Sequence, residues 1–476
     1  MIIDIMLSGN YESTRFELKS PIDSLWLSAK MREGLGALIY VINPGQRLCA
    51  CIAPGISRFT NEVYISGDLC TMNGLRHKPE EGCYTLIIIP VSDGQDRNTA
   101  IEIEVETNAG KDELSIYGQT LSRHREISFD NIIDPASRYY KGDFHGHTVF
   151  SDGHQTMMEA MEVLQQNQLD FMAFTEHNSM PFSMPESSCL LIPSVELTLP
   201  IGHMNIHGIM DLGSFFAGFT KVDRLEEVWD HAIQIFGKEC NISLNHMFME
   251  PWHITYDSFD LSKLNTIEVI CDPTYPYAPQ ANDRAVSFLD FLWQEGLKVF
   301  GIGGSDSHNR PDELYEGATE PSVYGDPATY VFCEGLSVNH VIKAVRRGHC
   351  YVSRYNKLSI SIGEGNYLPG DYIPDEVTEL TYLVYVENMA FPCIGRFILN
   401  GETVWENKMD QDNPSAFYIL KPETPVWWLR FGIYDLSNHV IAYVNPVYHK
   451  LNQCNITKFK KLKDKFGDSN DQRNLI

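Results

Sequence analysis

Asp143-Phe144-His145-Gly146-His147-Thr148, followed by Ser151-Asp152-Gly153, is the stretch on which the fold turns. Lys141 to Thr148 reads as a strand, and side chains two apart on a strand point the same way. His145 and His147 therefore share a face and are able to share one cation, with Asp152 reaching back from the following loop. Thr156 to Gln168 follows as a helix: Met157, Met161 and Leu164 form its apolar stripe, and Thr156 and Glu159 have the spacing of a capping box.

Outward from this unit the alternation continues. Asp170 to His177, Leu190 to Leu199, Met204 to Ile209, Asn241 to His246, Thr266 to Asp272 and Val299 to Asp306 read as strands, and Arg224 to Lys238 and Asp283 to Glu295 as helices. From about Tyr139 to Tyr355 this pattern predicts a mostly parallel sheet with both faces covered, for which a barrel is the economical closure. The C-terminal ends of barrel strands converge on one mouth, where active sites are built.

Those ends are where the ionisable residues fall. Ten of the 16 histidines lie between His145 and His308. Thr175-Glu176-His177-Asn178 closes one strand, and Glu196 in Pro193-Ser194-Val195-Glu196 supplies a carboxylate able to bridge two cations. Gly202-His203-Met204-Asn205-Ile206-His207 puts His203 and His207 on one strand face; Asn245-His246 and Gly303-Gly304-Ser305-Asp306-Ser307-His308 complete the series. A single histidine at a strand end is more often a satisfied polar group than a ligand, and His154, His231 and His253 read that way. Six strand ends finishing in His, Asp or Glu are another matter, because burying so many ionisable groups together is costly unless cations pair them. Imidazole and carboxylate without thiolate suit Zn, Mn or Fe(II). Eight or nine such ligands exceed what one ion uses, which implies two or three divalent metal ions. Closely spaced ions point to hydrolysis, one lowering the pKa of a bound water while another clamps an oxygen of the substrate.

The flanks are of another kind. Up to roughly residue 130 the chain reads as all-β: Gly36 to Ile42 ends at the turn Asn43-Pro44-Gly45, Tyr84 to Val91 is apolar and β-branched, and Thr99 to Thr107 alternates Ile101, Ile103 and Val105 with Glu102, Glu104 and Glu106. From about Asn356 helices vanish again, and Glu379 to Glu387, Val426 to Asp435 and Val440 to Val444 read as strands of a second sandwich, with Trp427, Trp428 and Tyr434 in its core. Lysines crowd the last stretch, Lys458 to Lys465, as a solvated tail or terminal helix face.

Composition sets the outer limits. In 476 residues Lys plus Arg is 37 and Asp plus Glu is 63, a formal net charge of −26, which argues against general nucleic-acid binding and against an anionic membrane surface. Eleven scattered cysteines read as reduced thiols of a cytoplasmic protein. Neither a signal peptide nor a run of about 18 apolar residues is found.

In this order, DFHGHTVFSDG, TEHN, VE, GHMN, NH and GSDSH resemble the motifs of the PHP (polymerase and histidinol phosphatase) superfamily. The GHxN step and the downstream LSVNHVIKAVRRGHCYVS are similar to its carbaryl-hydrolase-like branch. The resemblance covers residues 1 to 355 and is firmest from 139. It implies an α/β fold with a distorted (β/α)7 TIM-like barrel at 138–355 after a β-rich N-terminal domain; with the strand patterns of the flanks, sandwich-like all-β domains are expected at 1–137 and 356–450, and the Lys-rich tail at 451–476. By position it implies as metal ligands His145, His147, Asp152, His177, Glu196, His203, His246, Asp306 and His308, with His207 the second choice to His203. The chain departs from the family where Glu176 replaces an aspartate and Met247 a proline. The expected activity is hydrolysis of a small-molecule phosphoester by metal-bound hydroxide, ahead of a carboxylester or carbamate, and ahead of a non-catalytic ligand- or carbohydrate-binding role. Asp306 or His308 is the candidate proton shuttle, and Arg310, with Arg284 behind it, the candidate phosphate anchor, against a surface salt bridge as the plainer reading.

Overall fold

A computed structural model describes the chain except for residues 8–11, 20–21, 57–59, 91–98, 110–119, 122–127, 182–184, 186, 211–224 and 474–476. Strand periodicity governs the N-terminal region: Ile101, Ile103 and Val105 turn inward while Glu104 and Glu106 face water. The strands described there are β1 (Ile2–Leu7), β2 (Glu12–Leu18), β3 (Ser24–Glu33), β4 (Ala37–Ile42), β5 (Leu48–Ile52), β6 (Glu62–Ser66), β7 (Cys70–Thr71), β8 (Gly82–Pro90), β9 (Thr99–Thr107) and β10 (Thr120–Leu121). They form two antiparallel sheets, ordered β1-β9-β3-β6-β7-β10 and β2-β8-β4-β5. Leu25, Leu27, Ile39, Val41, Ile88 and Ile103 share the core between them.

The central region carries the site. β11 (Asp134–Asp143), β12 (Phe171–Met172) and β13 (Leu190–Leu191) pair in parallel, with α1 (Met157–Gln166) crossing between the first two. The capping box at Thr156 and Glu159 is present. β14 (Ser194–Leu199), β15 (Gly202–His207), β16 (Asn241–Leu244), β17 (Thr266–Cys271) and β18 (Phe300–Gly304) make a five-stranded sheet. α2 (Leu225–Phe236) precedes β16, and α3 (Ala278–Gln294) joins β17 to β18. β16, β17 and β18 are parallel, but β15 is antiparallel to both its neighbours. This corrects the mostly parallel expectation, and the reason is local: only Pro200 and Ile201 separate β14 from β15, too few residues for a crossover. β19 (Ala328–Leu336), α4 (Val338–Val345) and β20 (Cys350–Ser353) follow, and β19 runs antiparallel to both β11 and β20. Two isolated parallel bridges, Gly146 to Ser307 and His177 to Glu196, link the two sets of strands at their C-terminal ends. A continuous ladder around a closed barrel is not among the described pairings.

The C-terminal strands are β21 (Leu358–Ile362), β22 (Leu380–Val386), β23 (Cys393–Leu399), β24 (Glu402–Met409), β25 (Ser415–Leu420), β26 (Trp428–Tyr434), β27 (Val440–Val444) and β28 (Val447–Tyr448). β21, β22 and β25 form one sheet, while β27 pairs with β20 and so extends the β13-to-β20 strands into a ten-stranded sheet. Trp427, Trp428 and Tyr434 are buried, as core packing predicts, and line no surface. α5 (Phe459–Arg473) turns Phe459, Leu462 and Phe466 onto Phe288 of α3 and its neighbours, so the lysine-rich stretch is a helix with one solvated face. All 11 cysteines are free thiols. Among the described residues no helix is long and apolar enough to cross a membrane.

Candidate metal centre

Strand ends bring the ionisable residues together. Asp143, the last residue of β11, accepts N–H bonds from His145 (3.0 Å), Ser305 (3.0 Å) and Gly325 (2.7 Å), tying the β11 and β18 ends to the segment before β19. Burial pushes its carboxyl up to about 6. The β18 end packs so closely that a Cβ on Gly304 would lie 2.3 Å from that of His145. Beyond it Asp306 adopts φ +50°, its N–H donating to the His145 carbonyl at 2.9 Å; His246, past β16, adopts φ +24°. Left-handed backbone at non-glycine residues is unfavourable and persists only where surrounding contacts hold it.

Around Glu196 and Asp306 the donor atoms converge. Nε2 of His145 and Nε2 of His147 are 3.2 Å apart, and each lies 3.1 Å from Asp306 Oδ1. Glu196 places Oε1 3.4 Å from the first and Oε2 3.4 Å from the second. On its other side Glu196 Oε2 is 2.8 Å from His177 Nδ1, and Oε1 is 3.0 Å from His203 Nδ1 and 3.6 Å from His246 Nε2. Asp152 Oδ1 sits 3.2 Å from His308 Nε2 and 3.5 Å from His177 Nε2. Four sets result: His145, His147 and Asp306; His177, Glu196 and His203; His147, Asp152, His177 and His308; and His145, Glu268 and the thiol of Cys271, the donor atoms of each set lying within 4.8 Å of one another.

The set fits divalent cations. Glu196 Oε2 is buried without a hydrogen bond, despite its nearness to His177 Nδ1, which bonds Thr198 Oγ1 at 2.6 Å. His246 Nδ1 is likewise buried and unpartnered. Such atoms are expensive to bury unless something coordinates them. The titration pattern has the same origin. Burial pushes Glu196 up, but the imidazoles of His145, His203 and His177 outweigh it and hold the carboxyl well below its ordinary range. Asp306 behaves alike, burial being overcome by His145, His147 and His308. Burial, with His308 and His177, lowers His147 to about 3, whereas burial of His145 and His177 is overcome by the carboxylates around them, which raise both well above the ordinary imidazole value.

Residues outside the expected ligand set steady this array, and of these Glu268 was not anticipated from the sequence. Glu268, buried in β17, places Oε1 2.7 Å from His145 Nδ1 and accepts the His246 N–H at 3.0 Å on Oε2. Its sequence signal was a lone carboxylate in a strand, Thr266-Ile267-Glu268-Val269-Ile270-Cys271, with no solvated face to hold it. Asn245 donates to Glu196 Oε1 at 2.7 Å. Glu176 stays out of the donor sets: it accepts from Thr148 N–H and from the Thr148 and Ser151 hydroxyls, fixing the loop that presents Asp152.

Two sequence expectations need correction. His207 does not join the donor sets: Asn205 is the residue opposite Glu196, His203 pairs with Thr198 toward the C-terminal end of β14, and His207 pairs with Ser194 at its start, about 13 Å from His203 along the strand. There it is buried, its Nε2 2.8 Å from the Phe144 carbonyl and its Nδ1 3.1 Å from Asn241 Nδ2. Arg310 does not enter either; its guanidinium is exposed, 3.8 Å from Glu159 and 4.0 Å from Glu313. Arg284 stacks on the Phe248 ring. His154 and His253 pair with Glu313 and Glu250, apart from the cluster.

No protein-family model matches the chain, and no curated protein matches it. Among solved structures, a two-domain protein from Bacteroides vulgatus ATCC 8482 containing a predicted PHP-like metal-dependent phosphoesterase is 15% identical, with TM-score 0.38, covering 69% of this chain and 99% of its own. Bacteroides uniformis β-glucuronidase 2, covalently bound to cyclophellitol-6-carboxylate aziridine, is 8% identical, with TM-score 0.23, covering 93% of this chain and 74% of its own. Likenesses this loose carry neither fold nor chemistry across.

Proposed function

We propose that the chain is a metal-dependent hydrolase of the PHP type, acting on a small-molecule phosphoester through two or three divalent ions. A PHP-type barrel at 138–355 between β-rich flanks is the architecture that goes with this reading, and the two strand-end bridges support it. The observation that carries it is the set of overlapping N/O donor groups around Glu196 and Asp306. Among the described residues only histidines pair with those two carboxylates, and bound cations would supply the permanent positive charge that neutral imidazoles lack. The same cations would balance a phosphate.

Divalent ions held there supply Lewis acidity and lower the pKa of water. The chain's own residues do the rest. Glu268 accepts at His145 Nδ1, which leaves Nε2 aimed at Asp306 and Glu196. His308 faces the Asp306 carbonyl with Nδ1 at 2.8 Å and Asp152 with Nε2. Burial lowers His308 and the carboxylates of Asp152 and Asp306 raise it, so a cation bound at this set would take the place of its proton. Substrate enters on that side, because the side chains of Asp152 (49% exposed), His308 (25%) and His177 (19%) are the open ones.

Protein purified without chelator should hold more than one equivalent of Zn, Mn or Fe per chain, and elemental analysis finding none would sink the site. The metal-loaded protein, screened on p-nitrophenyl phosphate, bis-p-nitrophenyl phosphate and p-nitrophenyl acetate, should turn over a phosphoester. Turnover of the acetate alone would replace this reading with carboxylester hydrolysis. His145→Ala and Asp306→Ala should each abolish turnover while the circular dichroism spectrum is kept.

A further inference from the structure

We infer that the loops after β16, β17 and β18 form an aromatic wall at the mouth of the site that selects phosphoesters whose leaving group carries a ring with a face that stacks on aromatic side chains. The inference rests on the hydrolase reading above and adds a substrate class to it. Trp252 lies in the loop after β16, Tyr275 and Tyr277 in the loop after β17, and Tyr315 in the loop after β18. Tyr275 is the hub: its ring centroid is 5.9 Å from Trp252, 5.6 Å from Tyr277 and 5.6 Å from Tyr315. The outer members are left uncovered, Trp252 being 44% and Tyr277 70% exposed. Scattered exposed aromatics are ordinary, but a contiguous group from three consecutive loops marks a contact surface.

The wall is fixed to the donor cluster. The Tyr275 N–H donates to the Asp272 carbonyl at 2.9 Å, and the Asp272 N–H to the Gly304 carbonyl at 3.3 Å. Ser322 Oγ donates to the buried Asp272 carboxyl at 3.4 Å. The preceding Cys271 Sγ is 3.9 Å from Asp306 Oδ2. These links place the ring group on the loop beside Asp306, within the surroundings that an ester substituent would meet on leaving the cluster. In the hydrolysis, the oxygen of water bonds to phosphorus, the bond to the leaving oxygen breaks, and that oxygen takes up a proton. A nucleobase, an aryl group or a pyranose offers a face that stacks on the rings; a short open chain does not.

Binding separates this inference from the reading it rests on. Phenylphosphonate should bind the full-length, metal-loaded protein about tenfold more tightly than methylphosphonate, by calorimetry. In Trp252→Ala and Tyr277→Ala, both surface positions, that ratio should fall toward one while the thermal midpoint stays near wild type. Comparing KM for phenyl phosphate, uridine monophosphate and glucose 6-phosphate against glycerol 3-phosphate then identifies the ring. Equal binding of the two phosphonates by the wild type, or a preference that survives both substitutions, overturns the inference alone. Failure of either phosphonate to bind overturns it together with the phosphoester reading.

Discussion

His145 is gripped from two sides, by Glu268 at Nδ1 and by Asp306 at Nε2. A carboxylate behind a ligating imidazole fixes its ring and raises its basicity, and its loss typically weakens metal binding 10–100-fold. Glu268→Gln should therefore lower metal affinity and kcat/KM by about that factor with the fold intact; metal titration giving wild-type affinity would remove Glu268 from the site. His203 and His207 make a sharper contrast. His203→Ala should cost metal and activity. His207→Ala should keep the metal but lose about 1–3 kcal/mol of stability, because the Phe144 carbonyl and Asn241 lose a buried partner. The pH dependence follows. Burial holds His207 at about 3 in the folded chain, against 6.5 when exposed. Between those values the unfolded chain binds the extra proton, so the contribution is whole above pH 6.5 and is lost as pH falls toward 3. His207→Gln should flatten that part of the curve of denaturation midpoint against pH.

At the scale of elements, the ends of strands decided what the sequence made legible. The donor residues lie where apolar runs stop, and His145, His177, Glu196, His203, His246 and Asp306 were visible on that ground alone. Strand direction was not. Leu190 to Leu199 reads as one strand, yet it divides into β13 and β14 at Pro193, which has no N–H to give a ladder. The reversal into β15 rests on a two-residue connection, and it sets His203 opposite Thr198 toward the C-terminal end of β14 and His207 opposite Ser194 at its start. Glu268 was hidden for another reason: its partners are far away in sequence, His145 by 123 residues, and no local spacing encodes such a pair. Gly304 shows how tightly these ends are packed. Gly304→Ala would drive a methyl group into the Cβ and backbone of His145. It should abolish metal retention more completely than it lowers the thermal midpoint, measured by elemental analysis beside calorimetry. Full metal content in a folded Gly304→Ala protein would show that the β18 end does not set the position of His145.

Across the whole molecule, the N-terminal sheets reach the site. Leu38, Tyr40, Ile42 and Cys51 turn away from the sandwich core and pack in one cluster with Val195, Leu197 and Met204 of β14 and β15. Within that contact the Tyr40 hydroxyl donates to the carbonyl of Asn178, the residue after His177, which itself adopts φ +49°. Burial raises the Tyr40 phenol well above its ordinary value, so it remains a donor throughout the neutral range. Part of the −26 formal charge lies inside this assembly, on Glu196, Glu268 and Asp306, where bound cations would offset it. Cations that bind only the folded chain also stabilise it, by an amount that grows with the logarithm of their affinity, so stripping them with a chelator should lower the thermal midpoint. Tyr40→Phe joins the two effects. It leaves the packing and removes only the hydroxyl that holds the Asn178 carbonyl, freeing the backbone that aims His177 at Glu196 and Asp152. Its thermal midpoint should fall by a few degrees, about 1 kcal/mol of a single hydrogen bond. Metal retained after dialysis should drop, the ion at His147, Asp152, His177 and His308 leaving first. A Tyr40→Phe protein that keeps every equivalent of metal and full turnover would show the N-terminal region to be a cover and not a support of the site.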